Sequence, residues 1–220
     1  MSNAKIYLIP GLGADGRMYT PQLKVLKNAV ILEHQKPLEG ETITEYAKRL
    51  SAKVDISEPF ILVGTSLGGM IAIEMSKFIH PEKIILISSV KHRGELPAWI
   101  RAMKHLKLHH FLTGERLIRI SNSNIKRFIT KRDTTVARLL VDMHNSADPE
   151  FVGWAINVVV NWNGSKDYRK DIIHIHGTKD MLFPHRNIKN AVHISGGSHI
   201  MGLTQAHDVN KALLEAIGGH

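Results

Sequence analysis

The chain contains no cysteine. That absence rules out a disulfide scaffold, a cysteine zinc site, an iron–sulfur cluster and a thiol nucleophile. Long apolar runs are missing too. A membrane helix needs about 18 consecutive apolar residues, and the longest candidates, such as Lys83 to Val90, are strand-sized. The N-terminus lacks the ordered charged, apolar and small-residue regions of a secretory signal, so a cytoplasmic location is the default expectation. There are no internal repeats and no low-complexity tracts.

The 220 residues suit one compact domain with at most a sub-domain. Hydrophobic residues make up 43% and charged residues 22%, a globular balance. Lysine and arginine number 29 against 20 acids, a formal charge of +9. Residues 91–150 hold 12 of those bases and 6 of those acids, a net of +6. The basicity is therefore regional. It lacks the marks of a nucleic-acid binder: no aromatic-interleaved basic platform, zinc module or helix-turn-helix is present.

Short apolar runs alternate with helical patterns. Strands are predicted at Lys5–Ile9, Ala29–Leu32, Phe60–Val63, Lys83–Ile87, Ile172–His176 and Ala191–Ile194. Their continuous apolar character fits parallel strands covered on both faces. Thr20-Pro21 predicts a helix over Gln22–Lys27, with proline at its first position. Thr42 and Glu45 have capping-box spacing ahead of Tyr46–Val54. Helices are also predicted over Leu67–Ile79 and Thr204–Ile217, the latter ended by Gly218-Gly219. This alternation indicates an α/β fold. Residues 91–165 break the rhythm and read as several amphipathic helices inserted into it.

Two glycine motifs compete for the function. Gly11-Leu12-Gly13-Ala14-Asp15-Gly16 fits the dinucleotide fingerprint, and Glu33 stands where a ribose-binding acid would. Against this, Thr20-Pro21 puts the expected helix start about four residues beyond Gly16, too late to meet a pyrophosphate. Gly64-Thr65-Ser66-Leu67-Gly68 fits G-x-S-x-G between a predicted strand and a predicted helix. This is the strand–turn–helix setting of a serine nucleophile elbow, in which glycines two residues either side leave room. The bland alternative is a tight turn that happens to contain serine.

A serine nucleophile needs a base and an orienting acid. Asp180 follows the fifth predicted strand and His199 the sixth, both on loops at carboxyl ends, where sites of parallel sheets form. Taken singly, Asp180 could be a turn aspartate and His199 is one of 14 histidines. Asp167 and Asp171 precede the fifth strand and would open on the wrong side. His174, His176, His193 and His207 fall within predicted elements. His185 lies on a loop and is not excluded by position.

With these residues in place, the chain resembles the α/β-hydrolase superfamily over residues 5–90 and 172–217. The resemblance implies a minimal fold: a six-stranded parallel sheet flanked by helices, with residues 1–90 and 166–220 as core and 91–165 as an inserted helical cap. It also implies that Leu12, in Pro10-Gly11-Leu12-Gly13, and Leu67 donate oxyanion-hole amides. Pro10 departs from the histidine usual at that loop position. The cap carries Trp99, Met103, Leu106, Leu108, Phe111, Leu112, Trp154 and Trp162, most of them packing residues. Of these, Trp99, Phe111 and Trp154, together with Met70, are candidate walls of an acyl pocket.

The expected function is a serine hydrolase of carboxylic esters or thioesters, needing neither metal nor organic cofactor. Acyl transfer, C–C hydrolysis, hydroxynitrile cleavage or cofactor-free halogenation could use the same residues. The basic cap suggests an anionic acyl carrier, such as acyl carrier protein or coenzyme A, as a partner. Rivals of other classes are a catalytically silent basic binding protein and an NAD-dependent enzyme. Neither a membrane nor a nucleic-acid partner is expected, and the sequence leaves the oligomeric state open.

Overall fold

A computed structural model describes residues 4–106, 113–129, 133–164 and 172–218. Six strands, β1 (Lys5–Ile9), β2 (Ala29–Ile31), β3 (Phe60–Thr65), β4 (Lys83–Ile87), β5 (Ile172–Gly177) and β6 (Val192–Ile194), form one sheet. Their order is β2-β1-β3-β4-β5-β6, and every pairing is parallel. All six residues of β3 are buried, as expected of a central strand covered on both faces. The edge strands β2 and β6 have three residues each and are partly exposed, which limits unwanted edge pairing.

Strand alternation splits the core in two. Tyr7, Ile9, Leu62, Ile84 and Leu86 face one layer, with α2 (Ile43–Ser51) and α3 (Leu67–Met75). Ile6, Leu8, Ile61, Val63, Ile85 and Ile87 face the other, against α9 (Ala206–Gly218). Helix α3 is buried on every side, Glu74 included. That carboxylate accepts from Thr44 Oγ1 at 2.7 Å, Lys77 Nζ at 2.6 Å and Trp162 Nε1 at 2.9 Å. A buried charge is tolerated only with such partners.

Between β4 and β5 lie α4 (Ala98–Leu106), α5 (Gly114–Asn124), a π-helical turn (Ile125–Ile129), α6 (Thr134–Ser146) and α7 (Pro149–Asn161). Thr113, Asp133 and Asp148 cap α5, α6 and α7, each side chain accepting a first-turn N–H. Phe151, Ala155, Val158 and Val159 of α7 join the first core layer, as does Trp162 beyond its end. A small separate cluster of Ile125, Ala137, Leu140 and Met143 packs against Ala14, Met18, Ile200 and Leu203. Helix α6 thus leans on the loops that follow β1 and β6.

Three helices depart from expectation. A 3-10 turn starts at Gly16 and runs directly into α1 (Thr20–Leu23), so helical backbone begins before Thr20. Asp15 causes this by accepting the Arg17 N–H at 3.0 Å. Helix α3 ends at Met75, where the Ser76 hydroxyl donates to Ile73 O and tighter turns carry the chain to Ile79. The last helix is two: α8 (Met201–Thr204) and α9, broken at Gln205, whose amide donates to Ser195 O at 3.1 Å.

Candidate active site

Chain direction places the ends of β1, β3, β5 and β6 on one side of the sheet. Ser66 sits at the tip of β3 with φ 54° and ψ −119°, a conformation rarely adopted by a non-glycine residue. The turn is tight enough to need glycine on both flanks. A Cβ on Gly64 would lie 2.3 Å from Gly68 O, and one on Gly68 would lie 2.1 Å from Ile9 O. Ser66 N donates to Ile87 O at 3.0 Å, and Ser89 Oγ donates to Ser66 O at 2.6 Å, bracing the elbow.

His199 Nε2 lies 3.0 Å from Ser66 Oγ, and His199 Nδ1 lies 2.8 Å from Asp180 Oδ2. The carboxylate can only accept, so Nδ1 carries the proton and Nε2 is free to accept from the serine hydroxyl. Asp180 is buried, and its other oxygen accepts from the backbone N–H groups of Leu182 and Phe183 at 2.9 and 2.8 Å. Burial raises the carboxyl pKa, but the His199 attraction and hydrogen bond, with the Phe183 N–H, outweigh it and hold Asp180 below its ordinary value. The Phe183 ring meets His199 edge-on at 5.3 Å.

The two loops bearing Asp180 and His199 are bound to each other. Lys179 N donates to Gly197 O at 2.8 Å, and Gly196 N donates to Thr178 Oγ1 at 2.8 Å. Their backbones touch where a Cβ on Gly177 would sit 2.2 Å from Gly197 O. The structure therefore brings Ser66, Asp180 and His199 into one hydrogen-bonded line from three strand ends.

The rest of the predicted set is more scattered. Leu12 follows β1 in the loop whose Gly11 lies against Ser66, and Leu67 is the first residue of α3. As the first helical residue, Leu67 has no intrahelical acceptor for its N–H. Met70 is fully buried in the core, Trp99 is 54% exposed, and Trp154 is half-buried with its indole N–H on Glu41 O. An open cleft of about 230 Å³ does flank the glycine loop. It is lined by Gly13, Ala14, His34, Met143 and Phe151 among others, and by none of those three. Phe111, Leu108, Leu112, Asp167 and Asp171 lie outside the described residues, as does the Leu106 side chain. His185 lies edge-on to His193, with ring centroids 6.2 Å apart. Glu33 accepts from Gly16 N at 2.9 Å, so the acid of the dinucleotide reading sits on the glycine loop itself.

MenH from S. aureus superposes with a TM-score of 0.78 at 15% identity, covering 99% of this chain and 94% of that one. A hydrolase from Pseudomonas aeruginosa PA01 gives 0.75 at 12%, covering 100% and 92%. The chain has the α/β-hydrolase fold. A thermophilic esterase from Thermogutta terrifontis also shares the α/β-hydrolase architecture, with a TM-score of 0.74 at 18% identity over 98% and 90%. No family model and no curated protein matches the sequence.

Within this α/β-hydrolase fold, two supporting side chains escaped the sequence reading. The Tyr19 hydroxyl donates to Ile9 O at 2.8 Å and lies equally close to Thr65 Oγ1, joining the ends of β1 and β3. Met18 Sδ accepts the Gly11 N–H at 3.3 Å. Neither belongs to a motif, and no local pattern would have marked them.

Proposed function

We propose that the protein is a serine hydrolase acting on carboxylic esters or thioesters. The observation that carries this reading is the line from Ser66 Oγ through His199 to Asp180, at 3.0 and 2.8 Å, beginning on a strained elbow. Ser66 Oγ attacks the substrate carbonyl while His199 Nε2 takes its proton. The Leu12 and Leu67 N–H groups receive the oxyanion. His199 then protonates the departing alcohol or thiol, leaving an acyl-serine. Water, deprotonated by His199, attacks the acyl carbon, and collapse of that second intermediate returns the serine proton and releases the acid. Asp180 keeps His199 in the required tautomer and stabilises its cation.

The esterase and hydrolase among the structural neighbours support a hydrolase by analogy of fold. The inserted cap of residues 91–165 is taken as a lid over Ser66, a reading supported by the α6 cluster, which leans on both loops that flank the site. The net +6 of residues 91–150 supports docking of an anionic acyl carrier on that lid.

A fluorophosphonate probe should label the protein, and Ser66→Ala should abolish the label. Labelling of that variant at another serine would sink the assignment. Turnover of short p-nitrophenyl esters, then acyl thioesters, should be lost in His199→Ala with circular dichroism unchanged.

A further inference from the structure

His34 follows β2 and belongs to no motif, yet it reaches the loop after β1. Its Nε2 lies 3.0 Å from Pro10 O and 3.3 Å from Gly11 O. Carbonyls only accept, so Nε2 carries the proton. Nδ1 is then bare, and it lies 3.3 Å from the Tyr46 hydroxyl. That hydroxyl accepts the Gln35 N–H at 2.9 Å and turns its own proton to Nδ1. The ring stacks on Phe151 of α7 at 4.3 Å with an interplanar angle of 29°. Burial outweighs the two carbonyls and pushes the imidazole pKa down to about 4, so the ring is neutral near pH 7.

The consequence follows from peptide geometry. In a planar trans peptide, C=O and N–H point in opposite directions. Gly11 O accepts from His34 Nε2 and from Ala14 N at 3.2 Å, so the Leu12 N–H of the same peptide points away from them both. Pro10 O also faces His34, and the Gly11 N–H of that peptide goes the other way, to Met18 Sδ. One imidazole thus sets the rotation of two consecutive peptide planes. The loop needs such a restraint, because glycine at 11, the hinge between those two planes, leaves them free to turn. Gly11 lies directly against the nucleophile: a Cβ there would be 3.4 Å from Ser66 Cβ.

We propose that His34 is a positioning residue for the oxyanion loop, its Nε2–H holding the Pro10 and Gly11 carbonyls so that the Leu12 amide faces the reacting carbonyl. Tyr46 sets the tautomer, and Phe151 links the imidazole to α7. This rests on the reading of Ser66 as nucleophile and Leu12 as oxyanion donor.

The test compares the full-length wild type with His34→Leu, His34→Gln and Tyr46→Phe, each normalised by fluorophosphonate active-site titration. Complete loss of an oxyanion donor costs about 10²–10³-fold, and a misaligned one should cost less. The expectation for His34→Leu is therefore a fall in kcat of about 10–100-fold with KM little changed. Affinity for an aryl boronic acid, which forms a tetrahedral adduct on the serine, should fall in parallel. His34→Gln, which keeps an N–H donor, should recover much of the loss, and Tyr46→Phe should fall between it and the wild type. Wild-type kcat per titrated site in His34→Leu, or a loss confined to KM with boronate affinity intact, overturns the proposal. Should His34→Leu not fold, nitrogen NMR of the wild type decides, with His34→Gln assigning the signals. A proton on Nε2 and a bare Nδ1 at pH 7 support the role, and the opposite tautomer overturns it. A wild type unlabelled at Ser66 defeats the underlying reading instead.

Discussion

Lowering the pH from 7.5 to 5.0 should strip this protein of a large part of its stability. The cause is neutral imidazole packed inside the fold. His34 is pushed down to about 4, chiefly by burial. His174 is 1% exposed and is also held below its ordinary value, first by burial and then by repulsion from any proton shared with neighbouring His176. His176 Nε2 donates to Phe183 O at 2.8 Å, so its Nδ1 accepts from His174 Nε2 at 3.3 Å. A second proton on either ring of this pair is opposed chiefly by burial, which outweighs the Ser89 backbone beside His174 and the Asp180 carboxylate 3.6 Å from His176 Nε2.

The sign follows from linkage. Between a depressed folded pKa and the ordinary value near 6.5, the unfolded chain binds more protons, so stability falls as pH falls. At pH 5.0 a histidine of pKa about 4 folded and about 6.5 unfolded costs about 2 kcal/mol. His174 adds a similar amount, limited by how far its unfolded form has titrated; partial exposure of the His34 ring trims its share. The sum is about 3–4 kcal/mol against a typical total of about 5–15 kcal/mol. Asp180 works in a lower window. Its depressed pKa contributes stability that is present above the unfolded value and is lost only as pH falls through the folded one. Urea unfolding followed by tryptophan fluorescence at several pH values from 7.5 to 5.0 measures the effect. His174→Gln keeps a donor toward His176 while removing one titration, so its stability should depend less steeply on pH. An unchanged urea midpoint between pH 7.5 and 5.0, or a full wild-type slope in His174→Gln, would refute the reasoning.

Two further outcomes are expected. Gly68→Ala puts a Cβ 2.1 Å from Ile9 O and 2.5 Å from Pro10 O, both backbone atoms, so the glycine loop must move. Kinetics and thermal melting should show most of kcat gone and a stability loss at the upper end of about 1–3 kcal/mol; wild-type turnover would contradict the packing account. Trp162→Phe keeps the apolar ring but removes a donor from buried Glu74. A cost of about 1–3 kcal/mol, or a Tm drop of about 2–10 °C, should appear in calorimetry, and an unshifted Tm would mean that Glu74 does not depend on this bond.

What the sequence determined by itself was local. Continuous apolar runs mark strands because a parallel sheet buries both faces, and β1 and β4 begin and end where those runs do. Thr42 and Glu45 announce their capping box because its two bonds span only three residues. Gly64, Ser66 and Gly68 announce the elbow because steric crowding at one tight turn dictates its residue types. Asp180 and His199 were legible through chain order and strand-end placement. Contacts between distant loops were decided only in three dimensions. The helical turn at Gly16 depends on an aspartate cap beside a glycine whose N–H goes to Glu33, 17 residues away. Met70, expected at a pocket wall, is core because α3 is buried on every side. Glu74 gains Trp162 from 88 positions away. His34 meets Pro10 because β2 lies beside β1 in the sheet. Such partners leave no periodicity in the chain, since they are chosen by which strand ends the sheet brings together.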